Sequence, residues 1–188
     1  MIDFNISLEN TDVLLRPMQQ SDADAFYKVT SPKTIWLYFT SDLSVKSELI
    51  EWVNSALSGL QKKERLPFTI IDKSTQTVIG SSSFGNISYR DSRVEIGWTW
   101  LAKEFQGKGF NQQVKFMMLD YAFNECRMER VEFKTDVLNM AARKALIKIG
   151  CIEEGVLRSH TLMTNNRRRD TIYYSILKSE WPELKQKS

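Results

Sequence analysis

The chain is poor in the residues that build cross-linked or metal-held scaffolds. Two cysteines occur in 188 residues, and Cys126 and Cys151 have neither paired spacing nor neighbouring histidines. That argues against a disulfide framework or a zinc cluster and points to reduced thiols in a reducing compartment. Uncharged apolar runs of about 18 residues, the length that crosses a bilayer, are absent, so no membrane span is expected. The stretch from Met1 to Val13 carries acids and no long apolar run, which argues against a secretory leader; the cytoplasm is the expected location. Neither charge sign dominates: 26 basic against 23 acidic side chains leave a net charge of +3, too little alone to argue for a nucleic-acid partner. Repeats and low-complexity tracts are absent as well. What remains, 42% hydrophobic and 26% charged residues, is the composition of one globular domain, residues 1–188, long enough to bury a sizeable core.

Hydrophobic periodicity then orders the chain. Val13-Leu14-Leu15-Arg16-Pro17 reads as a first strand ended by proline, and Ser21-Asp22-Ala23-Asp24 as a helix start with Ser21 as N-cap. A second helix is predicted over about 45–60, with Leu49, Trp52, Val53 and Ala56 on one side. Residues 68–72 and 76–84 read as a hairpin. Residues 93–100 alternate, which places Val94, Ile96, Trp98 and Trp100 on one face and Glu95, Gly97 and Thr99 on the other. Helical spacing links Phe110, Val114, Met117 and Tyr121, ending near Cys126. Residues 131–137 form a strand, and Ala142, Ala145, Leu146 and Ile149 mark a shorter helix closed by Gly150. Two last strands, about 155–163 and 170–177, flank the polar loop 164–168. The order is strand, two helices, three strands, helix, strand, helix, two strands: a mixed α/β sheet.

Of 8 glycines, two sit one residue apart in Glu104-Phe105-Gln106-Gly107-Lys108-Gly109-Phe110-Asn111, directly before a helix. A Walker loop fails because Gly109 follows Lys108, and a dinucleotide fingerprint fails because Gln112 holds the third glycine position. A strand, a short glycine turn and a helix N-terminus remain. Exposed N–H groups and the positive end of the helix dipole suit a phosphate there, and glycines let the backbone approach it. The alternative is a turn that simply needs positive φ.

Gln106-Gly107-Lys108-Gly109-Phe110-Asn111 resembles the Q/R-x-x-G-x-G/A signature of GNAT-superfamily N-acetyltransferases, whose loop grips the pyrophosphate of acetyl-CoA. Glu95-Ile96-Gly97-Trp98-Thr99-Trp100 is similar to the acyl-binding strand ahead of that loop. Asn139-Met140-Ala141-Ala142, followed by Lys148-Ile149-Gly150-Cys151, resembles the N-x-x-A…G-F segment after the next strand. Leu14-Leu15-Arg16-Pro17 and Glu153-Glu154-Gly155-Val156-Leu157-Arg158 resemble the RimJ/RimL-type branch, which acetylates protein N-terminal amines and related substrates. The resemblance spans about residues 11–178. It implies an α+β fold with a mostly antiparallel sheet, acetyl-CoA as cofactor with coenzyme A as product, and direct transfer to a primary amine of a protein N-terminus or small molecule. It also implies cofactor contacts from Trp98, Thr99, Trp100, the six residues Gln106 to Asn111, Asn139 and Arg143. Related folds often dimerise, so a homodimer stays open. Three positions depart from the pattern. Asn111 stands where Gly or Ala is usual, Leu146 where a Tyr commonly protonates the leaving thiolate, and Ala142 where this branch often has Ser.

The chemistry constrains the remaining candidates. An N-terminal amine with a pKa near 8 is roughly a tenth neutral at pH 7, so a general base helps without being absolutely required. Glu95 is the candidate base, set against the alternative of a solvated or salt-bridged strand carboxylate. His160 could face the substrate groove, although a lone histidine is more often structural. Asn139 could reach the cofactor arm or merely cap the following helix. Arg143 and Lys144 lie in that helix's first turn against the dipole preference, which phosphates nearby would explain. Arg167-Arg168-Arg169 reads most simply as an exposed hairpin tip. Besides the enzyme, two readings stand open: a non-catalytic acyl-CoA sensor, motivated by Ala142 and Leu146, and an RNA-binding module.

Overall fold

The computed structural model describes residues 1–164 and 166–186. Its strands are β1 (Leu8–Glu9), β2 (Val13–Pro17), β3 (Leu66–Asp72), β4 (Thr77–Ser88), β5 (Arg93–Leu101), β6 (Arg130–Asp136), β7 (Ile152–Leu162) and β8 (Arg168–Leu177). Its helices are α1 (Asp22–Val29), α2 (Lys46–Gln61), α3 (Phe110–Asp120), α4 (Met140–Lys148) and α5 (Trp181–Gln186). One sheet runs β1-β2-β3-β4-β5-β6-β8-β7, with every neighbouring pair antiparallel except β5 and β6. The fold is the expected mixed, mostly antiparallel α/β arrangement. Periodicity had not marked the two-residue β1 or the terminal α5, which is too short to show a helical repeat.

Two apolar clusters hold the layers. One joins the sheet to α3, α4 and α5 through Phe84, Val94, Ile96, Val114, Met118 and Trp181. The other joins α1 and α2 to β5: Phe26, Trp36 and Trp52 meet Trp100 edge-on, with ring centroids 5.2, 5.4 and 6.4 Å away. Such edge-to-face pairs add about 0.5–1.5 kcal/mol each beyond area burial. Trp36 and Trp52 are therefore core residues. The α2 stripe of Leu49, Trp52, Val53 and Ala56 is buried as its spacing predicts.

Two local expectations need correction. Trp98 has φ +53°, and the β4–β5 register slips between Ser81 and Ser83. This bulge reverses the alternation. Val94 and Ile96 enter the α3-side cluster, whereas Trp98 and Trp100 pack toward α1 and α2. Trp98 therefore shares the Glu95 face: a Cβ on Gly85, which pairs with Glu95, would lie 2.5 Å from the Trp98 ring. The second correction concerns α1. Ser21 is itself helical and its hydroxyl makes no cap. Asp22 takes over, accepting the Gln19 N–H at 2.8 Å, the Thr69 hydroxyl at 2.6 Å and both ends of the Arg16 guanidinium at 2.6 and 2.9 Å.

Burial alone would push the Asp22 carboxyl up, but bonds from Arg16, Thr69 and Gln19 outweigh it and hold it below the ordinary carboxylate range. A folded-state value below the unfolded one stabilises above the unfolded pKa near 3.9, and that contribution is lost as pH falls through the depressed value. Asp22→Ala strands three donors, although Arg16 keeps 26% of its side-chain surface in water. The expected loss is about 2–4 kcal/mol at pH 7, shrinking in acid, read by urea unfolding across pH.

Candidate active site

The site begins where the single parallel pairing ends. β5 and β6 share three rungs, Arg93 with Arg130, Val94 with Val131 and Glu95 with Glu132. β5 continues to Leu101 and β6 to Asp136 without a further rung. The bulge at Trp98 turns β5 away, and the strands separate like a fork. A cleft of about 380 Å³ fills the gap, walled by residues 95–99 of β5 and 133–135 of β6. The α3 and α4 side contributes Asn111, Lys115, Asn139, Ala142, Ala145 and Leu146, and Tyr38–Thr40 line the cleft as well. On the cleft side, the β5 backbone beyond Glu95 has no strand neighbour. Its amide groups can thus bind an extended guest as another strand would.

The glycine turn lies between β5 and α3. Gly107 and Gly109 have φ +76° and +89°, and a Cβ on either would meet nothing within 4 Å. The turn is open, and both glycines satisfy the positive-φ requirement. The first α3 bond runs from the Gln113 N–H to the Gly109 carbonyl at 3.1 Å. The N–H groups of Phe110, Asn111 and Gln112 therefore precede the helical ladder, and the Gly109 N-cap has no side chain to occupy them. Free N–H groups at the positive end of a helix dipole suit an anion. Gln106 does not point outward: its Nε2 donates to the Leu101 carbonyl at 2.9 Å and ties the loop to β5. Lys108 stays near the turn, with its Nζ 5.8 Å from the Phe105 ring centre, and Phe110 meets Phe105 edge-on at 5.5 Å.

At the crotch of the fork Glu95 is 3% exposed. Its carboxylate accepts the Asn86 amide at 2.6 Å and faces the Lys134 Nζ at 2.9 Å. A Cβ on Gly97 would stand 2.7 Å from Glu95 Oε1, so the glycine leaves the carboxylate its room. Glu95 is therefore the paired carboxylate that its sequence context allowed, and it also lines the cleft. Trp98 lines the cleft as well. Its ring stacks on the Arg65 guanidinium at 4.4 Å, and Arg65 is fixed by an Nε bond to Ser83 at 2.9 Å. Burial pushes Arg65 down to about 10, still charged at neutral pH. Thr99 shares a 2.8 Å hydrogen bond with Ser82. The Trp100 side chain belongs to the aromatic core, which leaves only its main chain for a ligand.

The remaining candidates separate. Asn139 caps α4, its Oδ1 accepting the Ala142 N–H at 3.1 Å, while it also lines the cleft; its Nδ2 is what it can offer a ligand. Arg143 is engaged elsewhere: it donates to Tyr174 Oη at 3.1 Å and the Val137 carbonyl at 3.2 Å, and it pairs with Glu153 at 3.4 Å. Those partners, rather than phosphates, account for a cation in the first turn of α4. The arginine run is not a solvated tip. Arg167 pairs with buried Asp136, Arg168 with Ser159, and Arg169 is buried in the cleft wall with Nε on Thr171 at 2.9 Å. Of the loop before it, Asn165 lies outside the described residues. His160 edges the cleft, with Nδ1 3.1 Å from Thr171 Oγ1.

Sequence reasoning passed over Lys134, Asn86 and Lys115. Lys115 sits one turn after Asn111 in the buried stripe of α3, 6% exposed, with its Nζ 5.3 Å from the Phe133 ring centre. Burial pushes its ammonium down to about 8. A basic residue between Val114 and Met118 in an apolar stripe was the available signal.

Residues 12–152 match the family described as acetyltransferase (GNAT) domain. The p20 protein of Bacillus licheniformis, named as an N-acetyltransferase without a characterised role, is 30% identical over 172 residues, which is 89% of this chain and 93% of that one. YdaF of Bacillus subtilis (strain 168), named provisionally as a ribosomal N-acetyltransferase, is 37% identical over 105 residues, 56% of each chain. A GCN5-related N-acetyltransferase from Brucella melitensis shares the fold with a TM-score of 0.89, at 24% identity, covering 97% of this chain and 83% of that one.

Proposed function

The chain belongs to the GNAT acetyltransferase family, and on that premise we propose that it transfers the acetyl group of acetyl-CoA directly to a primary amine of a protein N-terminus or small molecule. The observation that carries the reading is the fork between β5 and β6, whose cleft is lined by Asn111 in the first turn of α3, next to the glycine turn. The N–H groups of Phe110, Asn111 and Gln112, with Lys108, suit a diphosphate. The free β5 edge suits an extended amide-bearing arm leading to Trp98 and Thr99, whose main-chain donors would polarise the thioester carbonyl. Asn139 Nδ2 would hold the arm from the α4 side. Glu95, fixed by Asn86 and Lys134, would take the amine proton directly or through water.

YdaF's name favours a protein acceptor, and a Vibrio cholerae relative, 24% identical over 173 residues and named spermidine N(1)-acetyltransferase, favours a polyamine. We favour the N-terminal amine, because its ordinary pKa leaves more of it neutral at pH 7 than a polyamine's more basic amines. Two buried, unpaired thiols fit a cytoplasmic protein. The test is coenzyme A release with Ala- and Ser-starting peptides, ribosomal-protein N-termini and polyamines. A peptide kcat/KM at least tenfold above that of spermidine is expected; the reverse order would move the acceptor to small amines. Tight cofactor binding with no turnover on any amine would make this a non-catalytic acyl-CoA sensor, the reading that Ala142 and Leu146 motivate.

A further inference from the structure

Lys115 is a buried cation with no anion. Among the described residues its ammonium has no hydrogen-bond or ion-pair partner, only the Phe133 ring. Holding an ammonium in a mostly buried position costs folding free energy, and Lys115 bears that cost at the lining of the cleft. Asn111, four residues earlier on the same helical face, is orphaned too: its Oδ1 is buried without a partner. Both line the cleft, one offering an acceptor and the other donors.

The position of Lys115 in the fork narrows its role. Phe133 is the first β6 residue past the last rung, Glu95 with Glu132, so the ammonium sits where the strands part. The α3–α4 wall there consists of Asn111, Lys115, Asn139, Ala142, Ala145 and Leu146. Only Lys115 in that set can give up a proton. Across the cleft, Glu95 is already paired with Lys134, His160 and Arg169 rest on Thr171, and the Tyr38 phenol lines the cleft from the 38–40 segment rather than from the α3–α4 wall. Cys151, the one group whose ionisation would act on Lys115, is pushed up to about 12 by burial and stays a neutral thiol.

Resting on the acetyl-CoA reading above, we propose that Lys115 is the proton donor to the departing coenzyme A thiolate, the role that no hydroxyl at Ala142 or Leu146 can fill. The acceptor amine's lone pair forms the C–N bond to the thioester carbonyl carbon. The C–S bond breaks with its electron pair going to sulfur, and the Lys115 Nζ proton moves to that sulfur. The proton lost by the amine leaves through Glu95 or water, and solvent reprotonates Lys115. Depression of the ammonium toward 8 brings it near the thiol's own range while keeping it mostly protonated at pH 7, which is the match that proton transfer needs. Asn111 Oδ1 would accept an amide N–H of the cofactor arm, one helical turn nearer the phosphates.

The test titrates the thiol of coenzyme A bound to the full chain, by thiolate absorbance, in the wild type, Lys115→Met and Lys115→Arg. In the wild type the bound thiol is expected to ionise about one pH unit below free coenzyme A; Lys115→Met abolishes that shift and Lys115→Arg retains it. In steady state, Lys115→Met lowers kcat about 10–100-fold with the acetyl-CoA KM within threefold. Wild-type kcat declines above about pH 8 as the donor loses its proton, whereas Lys115→Arg, which keeps the charge but cannot give up a proton, lowers kcat about as far as Lys115→Met. Coenzyme A that binds all three proteins with one thiol pKa and one kcat would overturn the role of Lys115 alone. Failure of coenzyme A to bind the wild type by calorimetry would overturn the acetyl-CoA reading itself, and this role with it. Lys115→Met removes an unpaired buried charge and is expected to raise Tm, so loss of fold should not mask the result.

Discussion

Glu95→Gln is expected to lower kcat about a hundredfold at pH 7, the low end for removal of a general base. The loss follows from what the substitution keeps. A glutamine carbonyl can still accept from Asn86, and Gly97 still leaves room, but the group no longer takes a proton. The deficit should be largest below the acceptor's pKa, where little amine is neutral, and close toward alkaline pH. Lys134 loses its carboxylate and sits 26% exposed, so a modest loss of stability accompanies the change. The pH profile separates the two effects: a base gives a deficit that varies with pH, whereas a purely structural carboxylate gives a uniform one. A variant profile parallel to the wild type at every pH would remove Glu95 from the mechanism.

Gly109→Val is the second large effect, and it acts on the cofactor. At φ +89° a branched side chain pays the left-handed penalty of about 1–2 kcal/mol, while the space around it holds no protein atom to clash with. The folded chain should survive with a slightly lower Tm. The added methyls stand instead where a phosphate must approach the Phe110, Asn111 and Gln112 amides. An affinity loss for coenzyme A of about 10–100-fold by calorimetry is expected, equivalent to about 1.4–2.8 kcal/mol. The kcat at saturating acetyl-CoA should change far less. Dephospho- and full coenzyme A should suffer alike if the diphosphate is what the turn holds. Unchanged affinity would show that the turn serves the chain alone.

Features written in one stretch of residues were readable from the sequence. The α2 stripe at Leu49, Trp52, Val53 and Ala56 records a single buried face, and the glycine turn records two positive φ angles. The β5 pattern misled because both faces of that strand are buried. An apolar residue follows the bulge in either phase, so alternation cannot reveal that Trp98 has changed sides. The linear pattern points Arg143 toward phosphates and Arg167 toward an exposed tip because their partners, Glu153 and Asp136, come from other strands. The Glu95–Lys134 pair was illegible for the same reason: only the β5–β6 rungs bring the two chain segments together. Lys115 was visible as an oddity, a cation in an apolar stripe, but nothing in a linear pattern says whether such a cation is paired.

The three-rung junction of β5 and β6 has a mechanical corollary. It is the shortest register between two long strands in the sheet, and it joins the sheet's β1–β5 part to its β6, β8 and β7 part. A guest bridging the gap extends the lattice of amide bonds across this weak joint, so occupancy should stiffen both halves at once. Deuterium uptake at residues 96–101 and 133–136 should therefore slow together when the guest arrives, including amides it never touches.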